Sequence, residues 1–485
     1  MSFTDVFRSN SNLTETENGA RAYSTTGNPV LNLFARVGGL RNASETEIKN
    51  LYLEARNYDK ELADNIILYS RDIREGGIGE RRVARIMLKT LALKDPAKVR
   101  RNFDTITNAG RWDDLWIALE GTTLEQEAID YISEQFVKDI KNMAAKKPIT
   151  LLAKWLPSSN ASSAQTRARA KKFYKAFGIN EKKYRKTLSA MRAYLDVVEK
   201  KMSKNQWSDI NYETVPSVAS TRYRNAFREN DSYRYNQYIE AVNEGKAKIN
   251  ASVSYPYELI RPYIVNRFNC KVDGTLEAQW KNLPNYVSEG KNAIVLADVS
   301  GSMNCDNYRP MATSVSLGIY FAEHNVGPYA NLFMTFTNQP RLYELNPKTT
   351  VFSRVNEVMR QVGYNTDLDK ALAEIYKMAV RADEAPDALI VISDGEIDSY
   401  KYRDSDDIVT KWARQYEAVG LKVPKLILWN VESRGNRFLA KSNNPNVAFI
   451  SGSSASTFKE LSALIENDPI GAMTEILSRP AFQWK

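Results

Sequence analysis

Histidine and cysteine are almost missing from this chain of 485 residues, which has one His (His324) and two Cys (Cys270 and Cys305). Two cysteines cannot build a disulfide framework, and with a single His they cannot complete a Cys/His zinc centre. The expectation is two reduced thiols in a reducing compartment. No stretch reaches the roughly 18 apolar residues that a membrane-spanning helix requires. The opening residues, MSFTDVFRSNSNLTETENG, are polar and lack the apolar core of a secretory signal. A soluble, cytoplasmic protein is therefore expected. No P-loop and no G-x-S-x-G element occurs, and His324 stands alone at the end of an apolar helix. A non-enzymatic protein is expected. Metal-assisted phosphoryl chemistry is the enzymatic alternative.

Positive charge is in excess, with 67 Lys and Arg against 58 Asp and Glu, a formal net charge of +9. The excess is unevenly placed. Residues 286–485 hold 21 basic and 24 acidic side chains, near −3, and the residues before them hold 46 and 34, near +12. A polyanionic partner follows from that split, with nucleic acid first. The plainer alternative is a solubilising basic surface.

A chain of this length implies two or three domains. Residues 1–30 are rich in Ser, Thr, Asn and Gly without helical period and are expected to form a flexible arm. Ser44 with Glu47 forms a capping box that opens a helix to about Ile73, and Thr122 with Glu125 forms a second. Behind the second box, Ile129, Ile132, Phe136 and Ile140 recur at helical steps. A third long helix is expected over Glu181–Met202. The breaks between helices are short, as at Gly76-Gly77-Ile78-Gly79, Asp95-Pro96 and Asn108-Ala109-Gly110. Helical hairpins stacked as a solenoid are predicted for residues 31–285. Beyond Lys291 the pattern changes. Short apolar runs (Ala293–Ala297, Ala330–Phe336, Ala388–Ser393, Lys425–Trp429, Val447–Ile450) alternate with helical segments. That alternation predicts a doubly wound, mostly parallel sheet over residues 286–485.

Ligands of such sheets bind beyond the carboxyl ends of the strands. There the first run leads into Asp298-Val299-Ser300-Gly301-Ser302, the strand Ala388–Ser393 leads into Asp394-Gly395, and a loop carries Asn365-Thr366-Asp367. Two carboxylates and three hydroxyls are hard oxygen donors suited to Mg2+ or Mn2+, with Ca2+ the further alternative. Gly301 permits a tight turn between the serines. D-x-S-x-S, a loop Thr and a second strand-end Asp, in that order, resemble the metal-ion-dependent adhesion site of a von Willebrand A domain. The resemblance implies that Ser300 and Ser302 bind a metal directly, and that Thr366, Asp298 and Asp394 do so directly or through water. It leaves one coordination position for a carboxylate, phosphate or water. The alternatives are that both aspartates merely cap the following helices, or that the site only stabilises the fold. Asp367, Asp369, Glu396 and Asp398 add negative charge nearby.

In the basic part, Arg71, Arg74, Arg81 and Arg82 surround a glycine-rich bend. Arg111 follows a second turn, and Lys154 opens a loop leading to Arg167, Arg169, Lys171 and Lys172. Arg222, Arg224 and Arg228 interleave with Tyr223, Tyr233, Tyr235 and Tyr238. Such cations neutralise phosphates, and Trp112, Trp155, Tyr174 and Tyr184 are candidates to stack on unpaired bases. Core packing of the Trp residues, and pairing of Arg74 and Arg81 with Asp72, Glu75 or Glu80, are the alternatives. A helical solenoid followed by a von Willebrand A domain resembles the Ro ribonucleoprotein family, whose TROVE module is a ring of HEAT-like repeats. The segments RDIREGGIGER, GRWDDL, AKWLPS and KKYRK resemble an uncharacterised family of the same layout in cellular and phage genomes. The resemblance implies binding of small structured or single-stranded RNA. The competing reading is a scaffold whose metal captures a partner carboxylate.

Overall fold

The computed structural model describes residues 12–287, 290–363, 365–398 and 407–485. Two short strands, β1 (Leu13–Glu15) and β2 (Arg21–Tyr23), form an antiparallel hairpin. Six more form one sheet: β3 (Ala293–Asp298), β4 (Leu332–Phe336), β5 (Arg341–Glu344), β6 (Ala388–Ser393), β7 (Lys425–Asn430) and β8 (Val447–Ser451). Their order across the sheet is β5-β4-β3-β6-β7-β8. All neighbours are parallel except β4 and β5. The strands β3 (AIVLAD) and β6 (ALIVIS) are buried along their whole length, as continuous aliphatic runs in a covered parallel sheet must be. The edge strand β5 buries only Tyr343.

Chain direction across the sheet reverses at β3. From β3 the chain steps outward to β4 and returns to β6 on the other side. The carboxyl ends of β3 and β6 therefore flank a topological switch point, where the connecting loops diverge and leave a crevice. Helix Cys305–His324 crosses behind this point and buries every residue from Arg309 to Ala322. A helix buried on all sides needs cover on all sides. One side meets the sheet so closely that a Cβ on Gly318 would fall 2.9 Å from the Phe333 ring. Helix Pro256–Val265 packs on the same long helix.

The mostly helical region followed by a mostly parallel sheet matches the expected fold class, but the compact units cut across the expected boundaries at residues 30 and 285. One unit joins the chain up to Val83 to Ala251–Gln483, and the other joins Ala84–Asn250 to Trp484–Lys485. In the first unit, helix Pro29–Arg36 is capped by Asn28 Oδ1, which accepts from the amides of Val30 (2.9 Å) and Leu31 (3.1 Å). It lies against β8, and Gly38 N donates to Ser451 Oγ at 2.9 Å. The expected flexible arm is corrected for residues 12–30. Tyr23 exchanges backbone bonds with Phe438 (2.8 and 2.9 Å), so the Ser, Thr, Asn and Gly residues serve a paired hairpin. Residues 1–11 of that arm lie outside the described residues.

The second unit contains helices and no strand among its described residues. Phe136 stacks on Phe177 (4.1 Å between centroids), and Phe177 meets Tyr184 (6.0 Å). These rings join helices Glu125–Ala144, Ala164–Ala176 and Glu181–Tyr194. Two expected long helices are each divided. Asp59 ends helix Glu45–Tyr58 and caps Lys60–Arg71 through the amides of Glu61 and Leu62. Asp196, at φ +49°, separates Glu181–Tyr194 from Val198–Ser203. At Asp59 the side chain's bonds to local backbone favour the break. No helix of the described residues is long and apolar enough to cross a membrane.

A Cβ on Gly38 would fall within 2.5 Å of the Ser451 carbonyl carbon and closer still to the Gly452 backbone. Gly38→Ala is expected to destabilise the first unit by about 3 kcal/mol, measured by urea denaturation. Glu460 is fully buried beside Arg479, and burial raises its pKa to about 6 despite that partner. The folded state therefore holds a proton that the unfolded chain has released, and this contribution to stability is lost as pH rises from about 4.5 to about 6. Glu460→Gln is expected to flatten that part of the stability profile.

Candidate functional site

Asp298 is the last residue of β3, and Asp394 follows the last residue of β6. Both are buried, as are Ser300 and Thr366, and Ser302 is half-buried. Asp298 Oδ1 accepts from Ser300 N (2.9 Å), and its Oδ2 accepts from Ser393 Oγ (2.6 Å). Ser300 Oγ and Ser302 Oγ are 3.0 Å apart. Gly363 N reaches Val299 O at 3.4 Å, which brings Gly363 beside the Asp298–Ser302 turn. Thr366 is clamped by Asp398, whose Oδ2 accepts from Thr366 N (2.8 Å) while its own amide donates to Thr366 O (3.0 Å). The helix-cap alternative does not describe the aspartates. Each bonds an amide two residues on within its own loop, Asp394 Oδ1 accepting from Glu396 N at 3.2 Å.

Burial, and next the charge of Asp394, push the Asp298 carboxyl up to about 7. Two buried carboxylates at adjacent strand ends repel, and a like charge disfavours ionisation. Thr366 Oγ1 and Asp394 Oδ2 are buried without a hydrogen-bond partner among the described residues. Arg434 Nη2 lies 3.2 Å from Asp394 Oδ2, opposing its charge without the direction of a hydrogen bond. Buried polar atoms rarely stay unpaired. Two orphaned oxygens, excess negative charge and a hard-oxygen donor set fit a divalent cation. No three His, Cys, Asp or Glu side chains group as metal donors among the described residues, so such a site depends on its hydroxyls.

Several neighbours carried no signal as site residues in the sequence. Arg434 follows β7 and also donates to Ser302 O at 2.5 Å. Its place after a strand end was the available clue. Glu17 stands in the β1–β2 turn, 3.9 Å from Arg434 and 3.3 Å from Arg437, and only tertiary contact reveals it. The same turn grips the Asp394 loop, with Thr16 Oγ1 to Ile397 O (2.6 Å) and Asn18 Nδ2 to Glu396 O (2.8 Å). The nearby acids are engaged. Glu396 pairs with Arg437 (2.6 Å), Asp369 with Lys411 (2.6 Å), and Asp367 caps a helix through Lys370 N (3.0 Å).

The basic residues singled out in the sequence are mostly occupied. Arg71 is buried. Arg74 and Arg81 are exposed, and Arg82 donates to the carbonyls of Arg41 and Ala43. Arg111 and Lys154 lie over the Trp155 ring at 4.2 and 5.6 Å. Arg167 binds the carbonyls of Ala161 and Ser162. Arg169 is bidentate on Glu120, and Lys172 pairs with Glu125. Arg224 and Arg228 bond within their own helix, and Arg222 is exposed. Tyr184 and Tyr235 are buried and cannot stack on bases. Trp112 already stacks on Tyr131 at 5.9 Å. Lys171, one of the residues singled out, is exposed on helix Ala164–Ala176, and solvent also meets Lys175 there and Lys182, Lys183, Arg185 and Lys186 on helix Glu181–Tyr194. None of these six has an ion pair among the described residues. The KKYRK run was the sequence signal for four of them.

Two domains of unknown function match the chain, DUF2828 over residues 153–291 and DUF7788 over residues 292–468. An uncharacterized protein of Acanthamoeba polyphaga mimivirus is 26% identical over 510 aligned positions, covering 96% of this chain and 87% of that protein. Among solved structures, the Deinococcus radiodurans Ro (RSR) protein aligns with 15% identity and a TM-score of 0.39, over 91% of this chain and 92% of that one.

Asp298→Asn removes a repelled, buried charge and leaves its two hydrogen-bonding neighbours in place. In chelator the variant is expected to melt no lower than the wild type. A melting temperature several degrees lower would show that the carboxylate is better satisfied than its surroundings indicate.

Proposed function

We propose that this protein is a non-catalytic RNA-binding protein, which holds RNA through the exposed basic face of residues 84–250. The observation that carries the reading is the placement of charge. Residues 84–250 hold 31 Lys and Arg against 19 Asp and Glu, a surplus of 12, which exceeds the +9 of the whole chain. The rest is therefore net acidic, and the surplus is not a general solubilising coat. Within the basic unit, Lys171, Lys175, Lys182, Lys183, Arg185 and Arg-flanking Lys186 project from two packed helices without internal acidic partners among the described residues. Lys171 and Lys175 stand one turn apart on one face, as do Lys182 and Lys186. Repeated cations at that spacing suit a phosphate backbone.

The reading includes a divalent cation, Mg2+ or in its place Mn2+ or Ca2+, held by Asp298, Ser300, Ser302, Thr366 and Asp394. Bound there, the cation would relieve the repulsion of the two carboxylates and offer a Lewis-acidic position to an anionic group. Ser300 and Ser302 supply neighbouring hydroxyls, and Asp398 fixes the backbone that presents Thr366.

The test is binding of labelled single-stranded RNA and of a small structured RNA across a salt series. Each phosphate contact on a single strand contributes a log–log slope of about −0.7. Replacing the six cations by Gln is expected to weaken binding at least about tenfold and to reduce the slope by about 3. Unchanged affinity and slope would remove RNA from this face. Failure to bind any RNA, with chelator-sensitive capture of an acidic protein ligand, would favour the scaffold reading.

A further inference from the structure

Arg434 is the cation placed at the candidate metal site by the chain itself. Its backbone is fixed on both sides of the preceding residues. Glu432 accepts from the buried Arg309 (2.7 Å) and from Asn42 Nδ2 (3.0 Å). Ser433 N donates to Gly39 O at 2.9 Å, and Ser433 Oγ accepts from Arg36 Nε at 2.6 Å. The side chain is about a quarter exposed, and its Nη2 also donates to Ser302 O (2.5 Å) and lies 3.6 Å from Cys305 Sγ, bonds that a turn toward Glu17 would have to exchange. Its guanidinium opposes Asp394 Oδ2 at 3.2 Å on one side and Glu17 Oε2 at 3.9 Å on the other. Asp394 is fully buried, whereas half the Glu17 side chain meets solvent.

We propose that Arg434 is a tethered competitor of the divalent cation: it neutralises Asp394 itself, and it must turn away toward Glu17 when a metal takes that carboxylate. The proposal rests on the metal reading of the site. Its physical basis is exclusion. A guanidinium and a divalent cation both within contact distance of Asp394 Oδ2 repel strongly in a poorly solvated setting. A fixed backbone with a swinging side chain gives two discrete arrangements, and Glu17 on the β1–β2 turn gives the displaced charge a second partner. Arg434 thus sets the metal affinity, as a positioning residue that need not touch the metal. It also links the site to the hairpin, because the turn that holds Glu17 is bonded to the Asp394 loop.

The experiment is calorimetric titration of the full chain with Mn2+ alone, in wild type, Arg434→Gln and Arg434→Lys, with Asp394→Asn as the control for the site. Arg434→Gln is expected to bind Mn2+ about tenfold more tightly than wild type, a size consistent with loss of one like charge at partly screened contact distance. Arg434→Lys, which keeps the charge, is expected to stay within about threefold of wild type by the same argument. Melting reads the other half: without metal Arg434→Gln is less stable than wild type, and in saturating Mn2+ the deficit closes. Wild-type binding that is lost in Asp394→Asn but unchanged or weakened in Arg434→Gln would overturn the proposal and leave the metal site standing. Absence of binding in wild type and in Arg434→Gln alike would overturn the metal reading and the proposal with it. Should Arg434→Gln fail to fold, a crystal structure of the Mn2+-loaded wild type decides. Arg434 turned toward Glu17 supports the proposal, and Arg434 still 3.2 Å from Asp394 beside a bound ion overturns it.

Discussion

Two carboxylates, Asp298 and Asp394, end adjacent parallel strands where neither meets water. Much of the local structure answers the cost of that arrangement. An isolated buried carboxylate is expensive, and a second one close by makes it more so. Asp298 is served by a backbone amide and by Ser393 Oγ. Asp394 receives one amide on Oδ1 and only an unaligned guanidinium at Oδ2. The loops around them are correspondingly pinned. Asp398 holds Thr366, Glu432 and Ser433 anchor the Arg434 loop, and the β1–β2 turn clamps Ile397 and Glu396. Oriented polar groups held by neighbouring elements, rather than by water, are what a preorganised anion-rich site requires.

The sheet and its acidic strand ends were legible because they are local. Continuous apolar runs ending in Asp, with glycine and serine beyond, place two strand ends before any tertiary contact is known. What the sequence concealed lies in long-range packing. Helix Pro29–Arg36 is buried against β8, and helix Pro256–Val265 against the helix from Cys305, though both fall in the region read as a separate solenoid. Helical periodicity reports that a face is buried and is silent about what buries it. The β1–β2 hairpin escaped for a related reason. Its strands have three residues each, too short for alternation to register, and its Ser, Thr and Asn side chains read as loop until Phe438 supplies the pairing edge.

The basic residues differ in another way. Arg-rich segments near glycine turns drew attention, yet Arg82, Arg167, Arg169 and Arg224 are spent on carbonyls or on Glu120. Arginine's planar fork suits bidentate internal bonding, so an arginine beside a turn is often there to hold the turn. The exposed cluster at residues 171–186 consists mainly of lysines at helical spacing. Lysine is strongly hydrated, and on an exposed helix face its charge remains available to a partner. Counting cations by segment located the surplus, but the distinction between internal and available charge came only with the contacts.

The division of charge bears on the relation between the two candidate sites. One compact unit carries more than the whole positive excess, while the other concentrates acidic side chains at the ends of its strands. A polyanion is attracted by the surplus of the first unit and repelled by the acidic strand ends of the second. A divalent cation at Asp298 and Asp394 would reduce that repulsion by cancelling negative charge at the strand ends. Arg434 already supplies part of this cancellation from within the chain. Its charge opposes the buried Asp394 carboxylate, and a turn toward Glu17 would leave that carboxylate to a stronger cation. If the site takes a metal, its stability without the ion and its affinity for the ion would be set against each other by this one side chain.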